Sequence, residues 1–191
     1  MTGVQTCALP IYPLTYSVAS LPAGAVFDPA TRVFSWSPDY TQAGVYTVVF
    51  HVSDGSLTDS IEVKITVNQV NRPPVLEVID NHWVDEGQIL EFTINAIDPD
   101  GDLLTYSVTG LPEGAGFDPA ARLFSWTPDY GQAGTYMVTF QVNDGQITVA
   151  RDVYIVVNQV NRAPVLEEIG DQIVNEGQLL EFTVAAVDPD G

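Results

Sequence analysis

The chain repeats itself every 90 residues without a gap, and that constrains its fold before anything else does. Leu14-Thr15-Tyr16-Ser17-Val18 returns as Leu104-Thr105-Tyr106-Ser107-Val108. Phe34-Ser35-Trp36-Ser37-Pro38-Asp39-Tyr40 returns as Phe124-Ser125-Trp126-Thr127-Pro128-Asp129-Tyr130, and Val67-Asn68-Gln69-Val70-Asn71-Arg72 as Val157-Asn158-Gln159-Val160-Asn161-Arg162. The shift divides the sequence into a non-repeating start (1–12), a copy without its opening third (13–71), a complete copy (72–161) and the opening third of another (162–191). The sequence therefore reads as a piece of a longer tandem array. Residues 1–12 hold the lone cysteine, Cys7, and match nothing at the equivalent positions 91–102. They read either as translated adapter sequence or as a divergent N-terminus, and are set aside from the fold.

Within the complete copy, apolar residues alternate with polar ones at a period of two, the mark of half-buried strands. Leu90, Phe92, Ile94 and Ala96 share one face; Tyr136, Val138, Phe140 and Val142 share another; Val149, Val153, Ile155 and Val157 keep one phase. Shorter strands fit 75–79, 104–108, 116–118 and 123–126. Between them lie turn signals such as Pro99-Asp100-Gly101-Asp102, Pro112-Glu113-Gly114 and Asn143-Asp144-Gly145. No stretch has helical periodicity. The expected fold is all-β: tandem antiparallel sandwiches of about seven strands each, of immunoglobulin-like or cadherin-like type. Trp36 and Trp126 are in phase with core residues. Trp83 aligns with Ile173 and is expected to pack, and Tyr40 and Tyr130 are expected at packed corners.

Six Lys+Arg stand against 25 Asp+Glu, for a formal net charge of −19. Such a chain is repelled by nucleic acid and anionic membrane, and is suited to a salty exterior or to neutralisation by cations. Cys7 cannot form an internal disulfide, no apolar run is long enough to span a bilayer, and no secretory leader is recognisable at the start. Nucleophile elbows, His-Glu-X-X-His and Gly-rich phosphate loops are missing from the sequence, so a non-catalytic chain is expected.

The carboxylates are the candidate chemistry. Asp98, Asp100 and Asp102 alternate in one loop, and Asp188 and Asp190 repeat its start. Alternate oxygens in a tight turn suit calcium, which takes six to eight of them. Uncompensated, they would repel one another. Glu86, Asp129 and Asp144 fall at strand ends, and Asn71 and Asn161 in the joints. Each also has a plainer reading: a solvated turn for Asp98, Asp100 and Asp102, a hairpin corner for Asp144, a turn start for Asp129, a covered strand end for Glu86.

On Asp98-Pro99-Asp100-Gly101-Asp102, Leu104-Thr105-Tyr106-Ser107, Phe117-Asp118-Pro119-Ala120, Trp126-Thr127-Pro128-Asp129-Tyr130, Val142-Asn143-Asp144-Gly145 and Asn161-Arg162-Ala163-Pro164, the chain resembles bacterial cadherin-like repeats of the dystroglycan type. These overlap with the immunoglobulin-like repeats of bacterial surface proteins. The resemblance implies an extracellular or surface location and calcium at the junctions between neighbouring repeats. It implies Asp39, Asn71, Asp98, Asp100 and Asp144 at the first junction, and Glu86, Asp129, Asn161, Asp188 and Asp190 at the second. The linkers depart from the pattern: they carry no acid, and Arg72 and Arg162 add positive charge. The implied work is that of a calcium-stiffened adhesion or stalk module, with a cell-surface protein or glycan as ligand. The rivals are a carbohydrate-binding accessory module of a secreted enzyme, disfavoured because most aromatics share the core phase, and a metal-free spacer.

Overall fold

The alternation of Tyr136, Val138, Phe140 and Val142 is realised as one long strand with those side chains turned inward, and the rest of the complete copy is arranged to cover them. The computed structural model describes residues 12–191. The non-repeating start, Cys7 included, lies outside the described residues but for Tyr12. Two compact units divide between Val70 and Asn71.

The unit from Asn71 onward contains β6 (Val75–Leu76), β7 (His82–Asp85), β8 (Leu90–Thr93), β9 (Ala96–Ile97), β10 (Thr105–Thr109), β11 (Gly116–Asp118), β12 (Leu123–Trp126), β13 (Gly134–Asn143), β14 (Thr148–Asn158), β15 (Val165–Leu166) and β16 (Ala186–Val187). The earlier unit contains β1 (Thr15–Ala19), β2 (Val26–Asp28), β3 (Val33–Ser35), β4 (Gly44–Ser53) and β5 (Thr58–Val67). No helix occurs among the described residues, so none could cross a membrane.

In 72–161 one sheet runs β10-β13-β14-β7 and the facing one β11-β12-β8. All pairings are antiparallel except β7 on β14, which is parallel with Val156 opposite Trp83 and Val157 opposite Val84. This short strand was not foreseen from the sequence, because four residues are too few to establish a period. It caps the otherwise open edge of β14. The strand expected over 75–79 is shorter, since β6 pairs only with β9.

The core draws on both sheets: Val84, Val138, Phe140, Val153 and Ile155 from one, Ile94, Phe124 and Trp126 from the other. Phe140 is its hub, with its ring edge-on to Phe92, Phe117 and Phe124 at centroid distances of 5.6–6.0 Å. Trp126 packs edge-on against Tyr136 and donates its indole N–H to the Glu113 carbonyl at 3.1 Å. A polar handle satisfied in this way lets a large ring be fully buried. The expectation for Trp83 is overturned. Its ring is 66% exposed, because its neighbours Val84 and His82 take the inward positions of β7. Tyr130, expected at a packed corner, is 48% exposed.

Residues 13–71 build the same sheet β1-β4-β5 and hairpin β2-β3 with nothing corresponding to β7 and β8 among the described residues. Phe50 still meets Phe27 and Phe34 edge-on, yet Val63 is 37% exposed where its counterpart Val153 is fully buried. In 162–191 only the β15–β16 bridge forms. Val184 is 56% exposed, and its counterpart Ile94 1%.

Burial, not residue type, should therefore set the cost of truncation. Ile94→Ala is expected to lower stability by about 2–5 kcal/mol. Val184→Ala should stay within about 0.5 kcal/mol of the parent. Urea unfolding in dilute solution, followed by circular dichroism, measures both.

Candidate cation site and the arginine-held joints

The Asp-rich loop is shaped by its first residue. One carboxylate oxygen of Asp98 accepts the N–H of Asp100 at 2.7 Å and that of Asp102 at 3.3 Å, while its carbonyl accepts from Gly101 at 3.2 Å. Gly101 takes φ +82°, a left-handed conformation that suits glycine. The tight turn brings one oxygen each of Asp98, Asp100 and Asp102 within 4.8 Å of one another. Among the described residues no other set of three acids, cysteines or histidines is gathered so closely.

Arg72, in the linker, grips this loop. Its backbone N–H donates to one oxygen of Asp100 at 2.7 Å, and Nε and Nη2 donate to the other at 2.8 and 2.6 Å. The Asp100 side chain is only 4% exposed. Hydrogen bonding from the Arg72 guanidinium, then from its backbone N–H, holds the Asp100 carboxyl below its usual range. Asp144 is likewise occupied: Gln146 and Ile147 donate their N–H groups to one oxygen at 2.7 and 2.6 Å, and Asn71 Nδ2 donates to the other at 2.8 Å. The N–H of Ile147 leads in lowering its pKa.

Two buried oxygens of this network have no hydrogen-bond partner among the described residues: Asn71 Oδ1 and Asp98 Oδ2. Both are acceptors. Leaving such atoms dry and unpaired is unfavourable, and a cation suits them where a donor is lacking. The structure thus brings Asn71, Asp98, Asp100, Asp102 and Asp144 together in one unit. Asp39 belongs to the earlier unit, where its carboxylate accepts from the Thr41 hydroxyl at 2.6 Å and the Thr41 N–H at 2.8 Å.

The second set is arranged differently. Glu86 is buried and serves the backbone: Oε1 accepts from Gly131 at 2.7 Å and Ala133 at 3.0 Å, and Oε2 from Val160 at 3.0 Å. It ties the end of β7 to the Pro-Asp-Tyr-Gly turn and to the linker. Asp190 is gripped by Arg162 as Asp100 is by Arg72, through the backbone N–H at 2.6 Å and Nε at 2.7 Å. The Arg162 guanidinium also lies over the Tyr130 ring, 4.6 Å from its centroid. Asp188, Asp129 and Asn161 are exposed. Asp129 begins a turn closed by Gln132, as its plainer reading has it.

Sequence reasoning missed the arginines, which it took only as opposing charge. The available signal was their spacing, since each precedes its aspartate partner by 28 residues.

Residues 9–68 and 73–158 match a family model described as "Putative Ig domain". The chain is similar to chitinase A of Pseudoalteromonas piscicida, with 31% identity over 153 residues that cover 78% of this chain and 19% of that protein. It is also similar to the serine-rich adhesin for platelets of Staphylococcus aureus (strain MRSA252), with 31% identity over 133 residues that cover 69% and 10%. The chain thus spans a fifth or less of the length of these relatives. Among solved structures, form II of human protocadherin-24 EC1-2 aligns with a TM-score of 0.48 and 18% identity, over 76% of this chain and 81% of that one.

Glu86 makes stability depend on pH. The N–H of Val160 is the leading cause of its lowered pKa. The native state therefore binds its proton less readily than the unfolded chain does. The stabilisation is full above the ordinary glutamate value of about 4.3 and is lost as pH falls through the native value. The urea midpoint should drop on acidification through that range, and Glu86→Gln should flatten the drop.

Proposed function

This chain belongs to the immunoglobulin-like domain family that the matched model describes, and on that premise we propose that it is a non-catalytic repeat module of an extracellular or surface-attached bacterial protein, serving as an adhesion or stalk segment that takes up calcium at the Asn71–Arg72 joint. The observation that carries the metal is the pair of buried, unpartnered oxygens, Asn71 Oδ1 and Asp98 Oδ2, beside the Asp98–Asp102 loop. Asp98, Asp102 and Asn71 would hold the ion, with backbone carbonyls and water completing its shell. Asp100 and Asp144 contribute field more than ligation, because their oxygens are already taken by Arg72, Asn71 and backbone N–H groups. With so few free carboxylates the affinity belongs in the weak extracellular range, Kd about 10⁻⁴–10⁻³ M. The surface setting is supported by the relative named as an adhesin.

A second reading, an accessory carbohydrate-binding module, is favoured by one observation. On the outer face of β10-β13-β14-β7, Trp83 is 66% and Tyr154 45% exposed, and Met137 pairs with Tyr154 on the same face. Flat exposed rings suit the apolar faces of pyranose sugars, and one relative is named a chitinase.

Calorimetric titration of the 191-residue chain with calcium tests the first reading. A saturable heat should appear, and Asp98→Asn or Asn71→Ala should weaken it by at least about tenfold, ~1.4 kcal/mol. No heat into the millimolar range would overturn it. Retention on insoluble chitin that Trp83→Ala abolishes would establish the second; no retention would remove it.

A further inference from the structure

The outer face of β10-β13-β14-β7 gathers its large apolar side chains into one strip. Alternation along β13, β14 and β7 turns Val138, Val153, Ile155 and Val84 inward, and turns Met137, Tyr154, Val156 and Trp83 the other way. The register sets these last four side by side. Met137 lies opposite Tyr154, and in the next row Val156 lies opposite Trp83. The edge is tied down there, because Asn81 Oδ1 accepts the N–H of Tyr154 at 2.9 Å.

A carboxylate stands at each end of the strip. One row before Tyr154 is Asp152, whose Oδ1 accepts from the Thr139 hydroxyl at 2.7 Å. One row beyond Trp83 is Asp85, whose Oδ1 accepts from Asn158 Nδ2 at 2.8 Å. From Asp152 to Asn158, β14 covers about 20 Å, room for several rings of a linear sugar chain. The one arginine or lysine of these four strands, Arg151, lies opposite Phe140 and so has the inward phase. The strip is not a property of the repeat. In 13–71 the positions of Met137 and Tyr154 hold Thr47 and Lys64, and in 162–191 that of Trp83 holds Ile173.

Flat exposed rings stack on pyranose faces, and the same rings attract a cation. Acidic glycans are opposed by the net charge of −19 and by Asp85 and Asp152 in particular. Deepening the carbohydrate-binding reading, on which this rests, we propose that the strip binds a linear polysaccharide of amino sugars whose amines are free and protonated. Sugar rings stack on Trp83 and Tyr154, and the ammonium groups meet Asp152 and Asp85 at the two ends. The carboxylates then decide between the free and the N-acetylated sugar, while the aromatic rings hold either.

Calorimetric titration of the 191-residue chain with two soluble probes tests this: the β-1,4-linked hexamers of glucosamine and of N-acetylglucosamine, at a pH where the amines are charged. The glucosamine hexamer should bind at least tenfold tighter, and added salt should narrow the gap. Trp83→Ala should remove binding of both. Asp85→Asn combined with Asp152→Asn should bring the two probes within about threefold of one another. Asp171→Asn combined with Glu181→Gln, an equal loss of charge at exposed positions elsewhere, should leave the gap unchanged. Binding of neither hexamer would remove the carbohydrate reading and this proposal with it. Equal or tighter binding of the N-acetylated hexamer would keep that reading and overturn the proposal. So would binding that survives Trp83→Ala, which is ion exchange by the net charge, or hexalysine binding as tightly as the glucosamine hexamer, which would assign the strip to a basic peptide.

Discussion

Everything in the complete copy depends on covering the inner face of β12, β13 and β14. Phe140 meets three rings, one of them, Phe92, supplied by the opening third of the copy. That third also contributes Ile94 and Val84, and fully burying an aliphatic or aromatic side chain of this size is worth about 1.5–3 kcal/mol. Residues 13–71, with no such cover among the described residues, keep the corresponding hairpins and ring contacts but leave their core half open, as Phe50 and Val63 show. The opening third without a sheet to cover scarcely forms strands at all. Local pattern therefore suffices for the hairpins, whereas β7 and β8 form where there is a sheet for them to pair with.

The joints depend on a different balance. Where carboxylates are buried near strand ends, each has to be compensated. Two means are used: backbone N–H groups compensate Glu86 and most of Asp144, and a linker arginine compensates each of Asp100 and Asp190. Asn71 Oδ1 and Asp98 Oδ2 have neither. Charge-assisted bonds of the arginine type are shorter and stronger than neutral ones, and a two-point grip fixes orientation as well as distance. Each arginine lies immediately after the linker asparagine, so it orders the path of the linker and the shape of the Asp loop at once. This explains how a linker without acids can still be held against an acidic loop.

Much of this was legible in advance. The 90-residue shift, the strand phases at Phe92, Val138 and Ile155, and the buried place of Trp126 follow from period-two alternation, which a sandwich enforces wherever a strand is long enough to show it. The gathering of Asp98, Asp100 and Asp102 follows from Asp-Pro-Asp-Gly turn chemistry. β7 was not legible, since four residues at an edge carry no period, and with it went the orientation of Trp83. An alignment of Trp83 with Ile173 shows that both positions tolerate an apolar residue, but not which side of the strand faces out. The arginine grip had no local signature, only the 28-residue spacing that recurs in both copies, and counting charges registers Arg72 as opposition to a metal when its geometry is that of a partner gripping Asp100. Glu86 was seen as a strand-end acid, but its three backbone donors come from segments 45, 47 and 74 residues away.

The central claim, that closure by the opening third and not the sequence of the sheet itself holds a repeat together, is tested most directly by hydrogen–deuterium exchange on the dilute chain. The amides of 136–142 and 46–52 belong to strands that share the same Tyr, Val, Phe and Val at their inward positions and have corresponding partners on both sides, β13 between β10 and β14, β4 between β1 and β5. The account predicts that 136–142 exchanges only through global opening of its sandwich, and that 46–52 exchanges faster by orders of magnitude through local opening. Equal protection of the two strands would contradict it.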